Sequence, residues 1–218
     1  MRIKINVDLR VGRVIKYFIL ADLALLAGWG LVGPVFSVFI IEKVAGATLV
    51  TVGIAAGIYW VLKSLLQLPI ATYLDKKEGE RDDFLALIIG LFISAFTAIA
   101  YNFITQVWHL YLVEIIHAMA FALYVPAWSA MFSRHVDKDR VSFDWSLDST
   151  VAGLSAGVSG ILGGAVASAW GFHWVFIMAG ILSAVSAFVL IMAPDFIFPP
   201  RTVENPVIKD HTPANISH

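Results

Sequence analysis

The chain has no cysteine. That excludes a disulfide framework, a thiol nucleophile and a Cys-type zinc site. Charge is scarce as well. Asp, Glu, Lys and Arg make up 14% of the residues, against about 25% in soluble domains. The net charge is −1, so no basic surface is offered to nucleic acid. His109, His135, His173, His211 and His218 have no second donor at ligand spacing on a helix face, so no metal site is expected. There is no phosphate-cradling loop and no Ser/His or paired-Asp constellation inside the apolar runs, so neither a cofactor nor an enzyme activity is expected. What the chain has is apolar bulk: 59% hydrophobic residues and a mean hydropathy of +0.82. The solvent for such a surface is lipid.

Six apolar runs stand out, at about 17–41, 49–74, 84–101, 108–132, 149–170 and 173–193. Each is long enough to cross a hydrocarbon core of roughly 30 Å at about 1.5 Å per residue. Spanning backbone must satisfy its own hydrogen bonds, which leaves helices or closed barrels. Runs this long without strict alternation are helices. The first run is too long for a signal peptide, holds Asp22 and Pro34, and lacks a small-residue cleavage pattern.

Lys and Arg set the orientation. Arg2, Lys4, Arg10, Arg13 and Lys16 precede the first run. Lys76, Lys77 and Arg81 follow the second, and Arg134, Lys138 and Arg140 follow the fourth. Arg201 and Lys209 lie in the tail, and only Lys43 falls in a loop on the opposite side. The positive-inside rule then expects both termini in the cytoplasm of a multi-pass plasma-membrane protein.

The runs also repeat. "TVGIAAG" (51–57) in span 2 parallels "TVAGLSAG" (150–157) in span 5. "PVFSVF" from Pro34 parallels "PAWSAM" from Pro126, and "GLFISA" from Gly90 parallels "GILSA" from Gly180. A repeat of three spans is odd, so the second copy must be inverted, as in many secondary transporters. The expected fold is therefore all-α: six transmembrane helices as two inverted three-helix repeats, about 17–101 and 108–193. A basic arm (1–16) precedes this domain (17–193), and a polar tail (194–218), expected to be disordered, follows it. The competing account of the matches is small-residue helix packing.

Particular stretches resemble the major facilitator superfamily of transporters. "ATYLDKKEGERDD" (71–83) is similar to that family's loop between spans 2 and 3: Asp75 matches its Asp, Lys76 the next basic residue and Gly79 the later Gly, while Ala71 replaces the first Gly. "RHVDKDR" (134–140) resembles the span 4–5 loop, and "GVSGILGGAV" with "WGFHWVFIMAGIL" the span 5 and span 6 entry. The resemblance covers residues 17 to about 193, one six-span half of that fold. Two departures matter. Where many proton-coupled members have Arg and then Gln in span 4, this chain has Glu114 and His117. The Gly-Pro that precedes the paired Gly of the antiporter branch is absent; Ser159 and Gly160 precede Gly163 and Gly164. Drug/proton antiport is therefore not carried over.

One half cannot line the pathway between halves, so the resemblance implies assembly. A six-span unit can pair with a second copy about a two-fold axis along the membrane normal. A homodimer with a shared cavity for a small-molecule substrate is expected. A heterodimer with another half, or a fragment of a longer chain, is the alternative. The resemblance also implies a gating role for Asp75, which would face the start of span 5 in the other half near Ser146 to Thr150 and hold the outward-open state. Asp144 and Asp148 compete for that role from within the same chain.

Ionisable groups at membrane depth usually face a cavity or a partner. Lys63 lies mid-span, with Gln67 one turn on and Tyr59 and Trp60 one turn before. Glu114 and His117 share a face of span 4, with Tyr124 further along. These are the expected cavity residues: Lys63 for an anionic group, Glu114 and His117 for proton coupling, with Asp22 as a further proton site. The competing account has Lys63 snorkelling or paired with Asp22, and Glu114 and His117 at the headgroups. Pro34 and Pro126 are expected to bend spans 1 and 4 as matched gating elements. Gly153, Gly157, Gly160 and Gly164 read as a packing face. Tyr17, Tyr101, Trp108, Trp170 and Trp174 read as interfacial anchors. Glu78, Glu80, Asp82 and Asp83 read as a solvated loop. A secondary active transporter is the reading these features favour, and a non-transporting membrane assembly or regulatory subunit is the alternative.

Overall fold

The computed structural model describes residues 11–76 and 80–193. Six helices account for nearly all of them: α1 (Arg13–Lys43), α2 (Leu49–Asp75), α3 (Arg81–Ala100), α4 (Val107–His135), α5 (Val141–Trp170) and α6 (Phe172–Ile191). All six are long and apolar enough to cross a membrane. A 3-10 turn, Tyr101–Phe103, follows α3. The connections are short, so successive helices run antiparallel. Helices α1, α3 and α5 start at one end of the bundle, the near end; α2, α4 and α6 start at the far end.

Local chemistry fixes several helix ends. Thr48 caps α2 in a reciprocal box with Thr51, which satisfies two N–H groups that a helix start leaves free. Gly171 turns the chain from α5 into α6 in a single residue at φ 88°, a conformation costly for any residue with a Cβ. Pro34, Pro69 and Pro126 lie inside α1, α2 and α4, and the helices continue through them.

The packing crosses between the triplets. Helix α1 packs on α5 and α6, α4 packs on α2 and α3, and α3 meets α6 across the middle. Exchanging the two triplets leaves this pattern unchanged. The repeat interval is ninety-two residues: it separates Leu49 from Val141, the first residues of α2 and α5, and Pro34 from Pro126. The pentapeptides at 53 and 153 are separated by one hundred, so they sit about two helical turns out of step. They are not equivalent positions, although the triplets themselves are related. Gly90 and Gly180 differ too. Gly90 lets α3 approach α4, where a Cβ would meet Ala120 O at 2.8 Å; Gly180 lets α6 approach α3, where a Cβ would meet Ile99 Cγ1 at 2.6 Å.

Without a hydrophobic effect between helices in lipid, close backbone approach carries their association. The tightest approach joins α1 to α5. A Cβ on Gly163 would collide with the Leu31 carbonyl, and one on Gly30 would sit 3.0 Å from Ala156 Cα. A Cβ on Gly160 would meet Pro34 Cγ at 3.4 Å, while one on Gly153, Gly157 or Gly164 would stand in open space. The packing face of α5 is thus Gly160 and Gly163, and the expected four-glycine face is corrected.

Two apolar clusters form the core, one toward each end, and both draw on both triplets. The edge helices contribute little: 11% of the apolar window of α2, and the same share of α5, is buried, against 44–56% in the other four. Two further expectations are corrected. The acidic stretch after α2 is not simply solvated: Asp83 is 1% exposed and paired with Arg134 at the end of α4, and Glu80 lies 3.6 Å from His135. Helix α5 starts eight residues before the apolar run at 149, and Asp144 and Asp148 are buried on it. Helix α1 starts at Arg13, inside the expected arm. The expected arm residues 1–10, Lys77, Glu78, Gly79 and the tail 194–218 lie outside the described residues.

Candidate functional site

A cavity of about 290 Å³ opens in the far half of the bundle. Trp29, Gly33, Phe36 and Ser37 of α1 line one wall, and Ala56, Tyr59 and Trp60 of α2 the other. Tyr101, Glu114 and His117 close its polar side. Helical spacing explains the convergence. Trp29, Gly33, Phe36 and Ser37 fall three or four apart, as do Ala56 and Tyr59, and Glu114 and His117.

Glu114 is 2% exposed, a depth at which a carboxylate needs partners. Tyr101 Oη donates to Glu114 Oε1 at 2.8 Å and lies 3.2 Å from His117 Nδ1. His117 Nδ1 is 3.5 Å from Glu114 Oε2. The single Tyr101 proton goes to the carboxylate, so the hydrogen between Tyr101 and His117 must sit on Nδ1. Neutral His117 then presents Nε2 as a bare acceptor. That atom is buried and makes no hydrogen bond among the described residues. The imidazole is held flat by Trp29, 4.0 Å away at 11°, and by Tyr59 at 4.4 Å. Trp29 is held in turn by its indole N–H, which donates to Ser94 Oγ at 2.8 Å.

Lys63 reaches the rim. Its Nζ lies 4.9 Å from the Trp60 ring and 5.9 Å from the Tyr59 ring, a cation–π arrangement. Tyr59, Glu114 and His117 therefore meet at one cavity with Lys63 beside it. Gln67 and Tyr124 are not among its lining residues. Tyr124 is buried in the near half, where its Oη donates to Asp22 Oδ1 at 2.5 Å. Asp22 is thus partnered by Tyr124 rather than by Lys63. Asp148 of α5 is 7% exposed and interacts electrostatically with both, and its Oδ1 makes no hydrogen bond among the described residues.

Asp22 and Glu114 are repeat mates, ninety-two residues apart. Asp22 lies nine residues into α1 and Glu114 seven into α4, depths of about 14 and 10 Å from opposite ends at about 1.5 Å per residue. Their tyrosines are not mates: one comes from α4 and the other from the turn after α3. Tyr101, expected as an interfacial anchor, is 1% exposed and belongs to the site. Trp108, Trp170 and Trp174 are exposed near helix ends, as anchors are. Sequence reasoning missed Trp29, Phe36 and Tyr101. A tryptophan in mid-span with a serine in a facing span was the available hint for Trp29. Among the described residues no group of three potential metal ligands occurs. Asp75 ends α2 and is exposed.

Six spanning helices in two exchanged triplets, with a largely aromatic cavity between them, define a multi-pass integral membrane protein of transporter architecture. The chain matches the family model of the Major Facilitator Superfamily over residues 18–215, and it belongs to that family. It is thus a single six-span unit of the major facilitator kind, a family of transporters of small molecules. No curated protein matches it.

Proposed function

We propose that the protein is a secondary active transporter of a small solute that works by alternating access, coupled to protons through Glu114 and His117, with Asp22 as a second proton site. The observation that carries this reading is the buried Glu114–Tyr101–His117 group on the wall of a cavity, with its repeat mate Asp22 at similar depth from the opposite end. A carboxyl group reached from each end in turn is what a proton-coupled carrier needs. Asp75, Pro34 and Pro126 serve the gating. Both termini lie in the cytoplasm, and the membrane is the plasma membrane.

The working unit in this reading is a homodimer about an axis along the membrane normal. The unburied edge helices support it. Gly53 and Gly57 of α2 and Gly153 and Gly157 of α5 all have open space where a Cβ would stand, which leaves small-residue stripes free for another helix.

The absence of native cysteine makes the test direct. Ser37→Cys places one thiol on the cavity wall. In vesicles, a membrane-impermeant maleimide is expected to reach it from one side at neutral pH and from the other at acidic pH. Glu114→Gln is expected to fix the side. Labelling from the same side at every pH in the unmodified background contradicts alternating access.

A further inference from the structure

The cavity lining has an unbalanced chemistry. Glu114 brings a carboxyl group to it, and neither lysine nor arginine is among its lining residues. His117 lines it as well, and its Nε2, buried and without a hydrogen bond among the described residues, is an acceptor by the proton accounting above. The rest is mostly aromatic faces: Trp29, Phe36, Tyr59 and Trp60. Ring faces carry the negative end of the quadrupole and favour cations. Lys63 demonstrates the preference, because its ammonium rests over Trp60 and Tyr59. Two acceptors, aromatic walls and no free cationic donor inside the lining do not suit an anion.

We propose that the cavity binds a protonated primary amine carried on a small apolar body, its N–H groups donating to Glu114 and His117 Nε2 and its body lying among the aromatic rings. This rests on the transporter reading of the same cavity and names its ligand class. The volume of about 290 Å³ lies at the bottom of the usual range for ligand sites, about 300–1,000 Å³. It suits one ring with a short chain. An incoming ammonium replaces Lys63 at the ring faces, and Lys63 swings outward on its flexible stem.

The site also predicts a pH response. The titratable groups facing His117 are Glu114 on its own helix, Tyr59 and Lys63 from α2, and Tyr101 from the turn after α3. A proton on His117 turns Nε2 from acceptor to donor. Proton and ammonium then exclude each other, so amine affinity falls as pH is lowered.

The test is a binding titration of the purified full chain in lipid nanodiscs with four probes of similar shape: phenethylamine, phenethyl alcohol, 3-phenylpropionate and phenethyltrimethylammonium. The amine is expected to bind at least about tenfold more tightly than the alcohol or the carboxylate, and more tightly than the quaternary ion that lacks N–H donors. Glu114→Gln is expected to weaken the amine by at least about tenfold. Equal affinity for alcohol and amine, tighter binding of the carboxylate, or a flat amine titration overturns the proposal. Should Glu114→Gln fail to fold, the probe series on the unmodified protein and its pH dependence still decide. The two readings fail separately. Amine that binds but is never moved across a proteoliposome membrane supports the ligand class and counts against transport. A pH-driven change of side at Ser37→Cys with no amine binding leaves transport standing and removes the ligand class.

Discussion

Asp22 and Glu114 each stand twelve residues before a proline, on the first helix of its own triplet, and each accepts a hydrogen bond from a buried tyrosine. Because the triplets are inverted, the two carboxylates are offered toward opposite ends of the bundle. The polar machinery is thereby duplicated, although only the Glu114 copy adjoins the aromatic cavity. At the other copy the further acidic group is Asp148 of α5, which interacts electrostatically with Tyr124 and Asp22.

Removing the tyrosine partners tests this arrangement. Tyr101→Phe leaves Glu114 without its 2.8 Å donor in a site 2% exposed. A hydrogen bond to a charged group contributes about 1.5–3 kcal/mol. The variant is expected to unfold at lower temperature and to lose the pH dependence of side labelling at Ser37→Cys. An unchanged melting point would show that the bond contributes nothing to stability.

The α1–α5 seam should be intolerant of added volume in a position-specific way. Gly163→Ala drives a methyl into the Leu31 carbonyl, whereas Gly164→Ala points into open space. Overpacking costs about 1–3 kcal/mol. Thermal unfolding in detergent is expected to show a clear drop for the first and almost none for the second. Equal effects would contradict the seam.

At the near end, Arg134 partners Asp83, a carboxylate 1% exposed. Arg134→Ala strands that charge and is expected to cost about 3 kcal/mol. Replacing both, Arg134→Met with Asp83→Leu, is expected to recover most of the loss, since the penalty comes from the uncompensated charge. A double variant as unstable as the single would mean that the pair contributes through something other than charge compensation.

Asp75 provides a test between subunits. Asp75→Asn is expected to shift the dimer toward the inward-open state and to weaken a cross-link between cysteines at the neighbouring position 76 and at position 149 of different chains. A cross-link that forms only within one chain contradicts the proposed dimer geometry.

Much of the fold was legible because lipid imposes a simple rule. A run of eighteen or more apolar residues has few alternatives to a spanning helix. The ends were less legible. Asp144 and Asp148 resemble loop residues by type, yet tertiary packing buries both. The repeat was visible through its prolines and misleading through its pentapeptides, since small residues recur in any membrane helix and carry little register information. Glu114 and His117 stood out because ionisable groups at depth are rare. Tyr101 did not, because its partner is thirteen residues away and the turn after α3 brings them together. Trp29 gave no periodic signal within an apolar run. What the sequence marks is costly residues; which of them meet is decided by helix packing.

The central claim is alternating access in a dimer governed by Glu114. The most direct measurement is double electron–electron resonance between symmetry mates. One spin label at Lys76→Cys would report the near end, and one at Leu49→Cys in a separate sample the far end. Between neutral and acidic pH, the near-end and far-end distances should change in opposite directions, and Glu114→Gln should abolish the change. No inter-chain distance, or a single distribution at both ends under all conditions, would contradict the account.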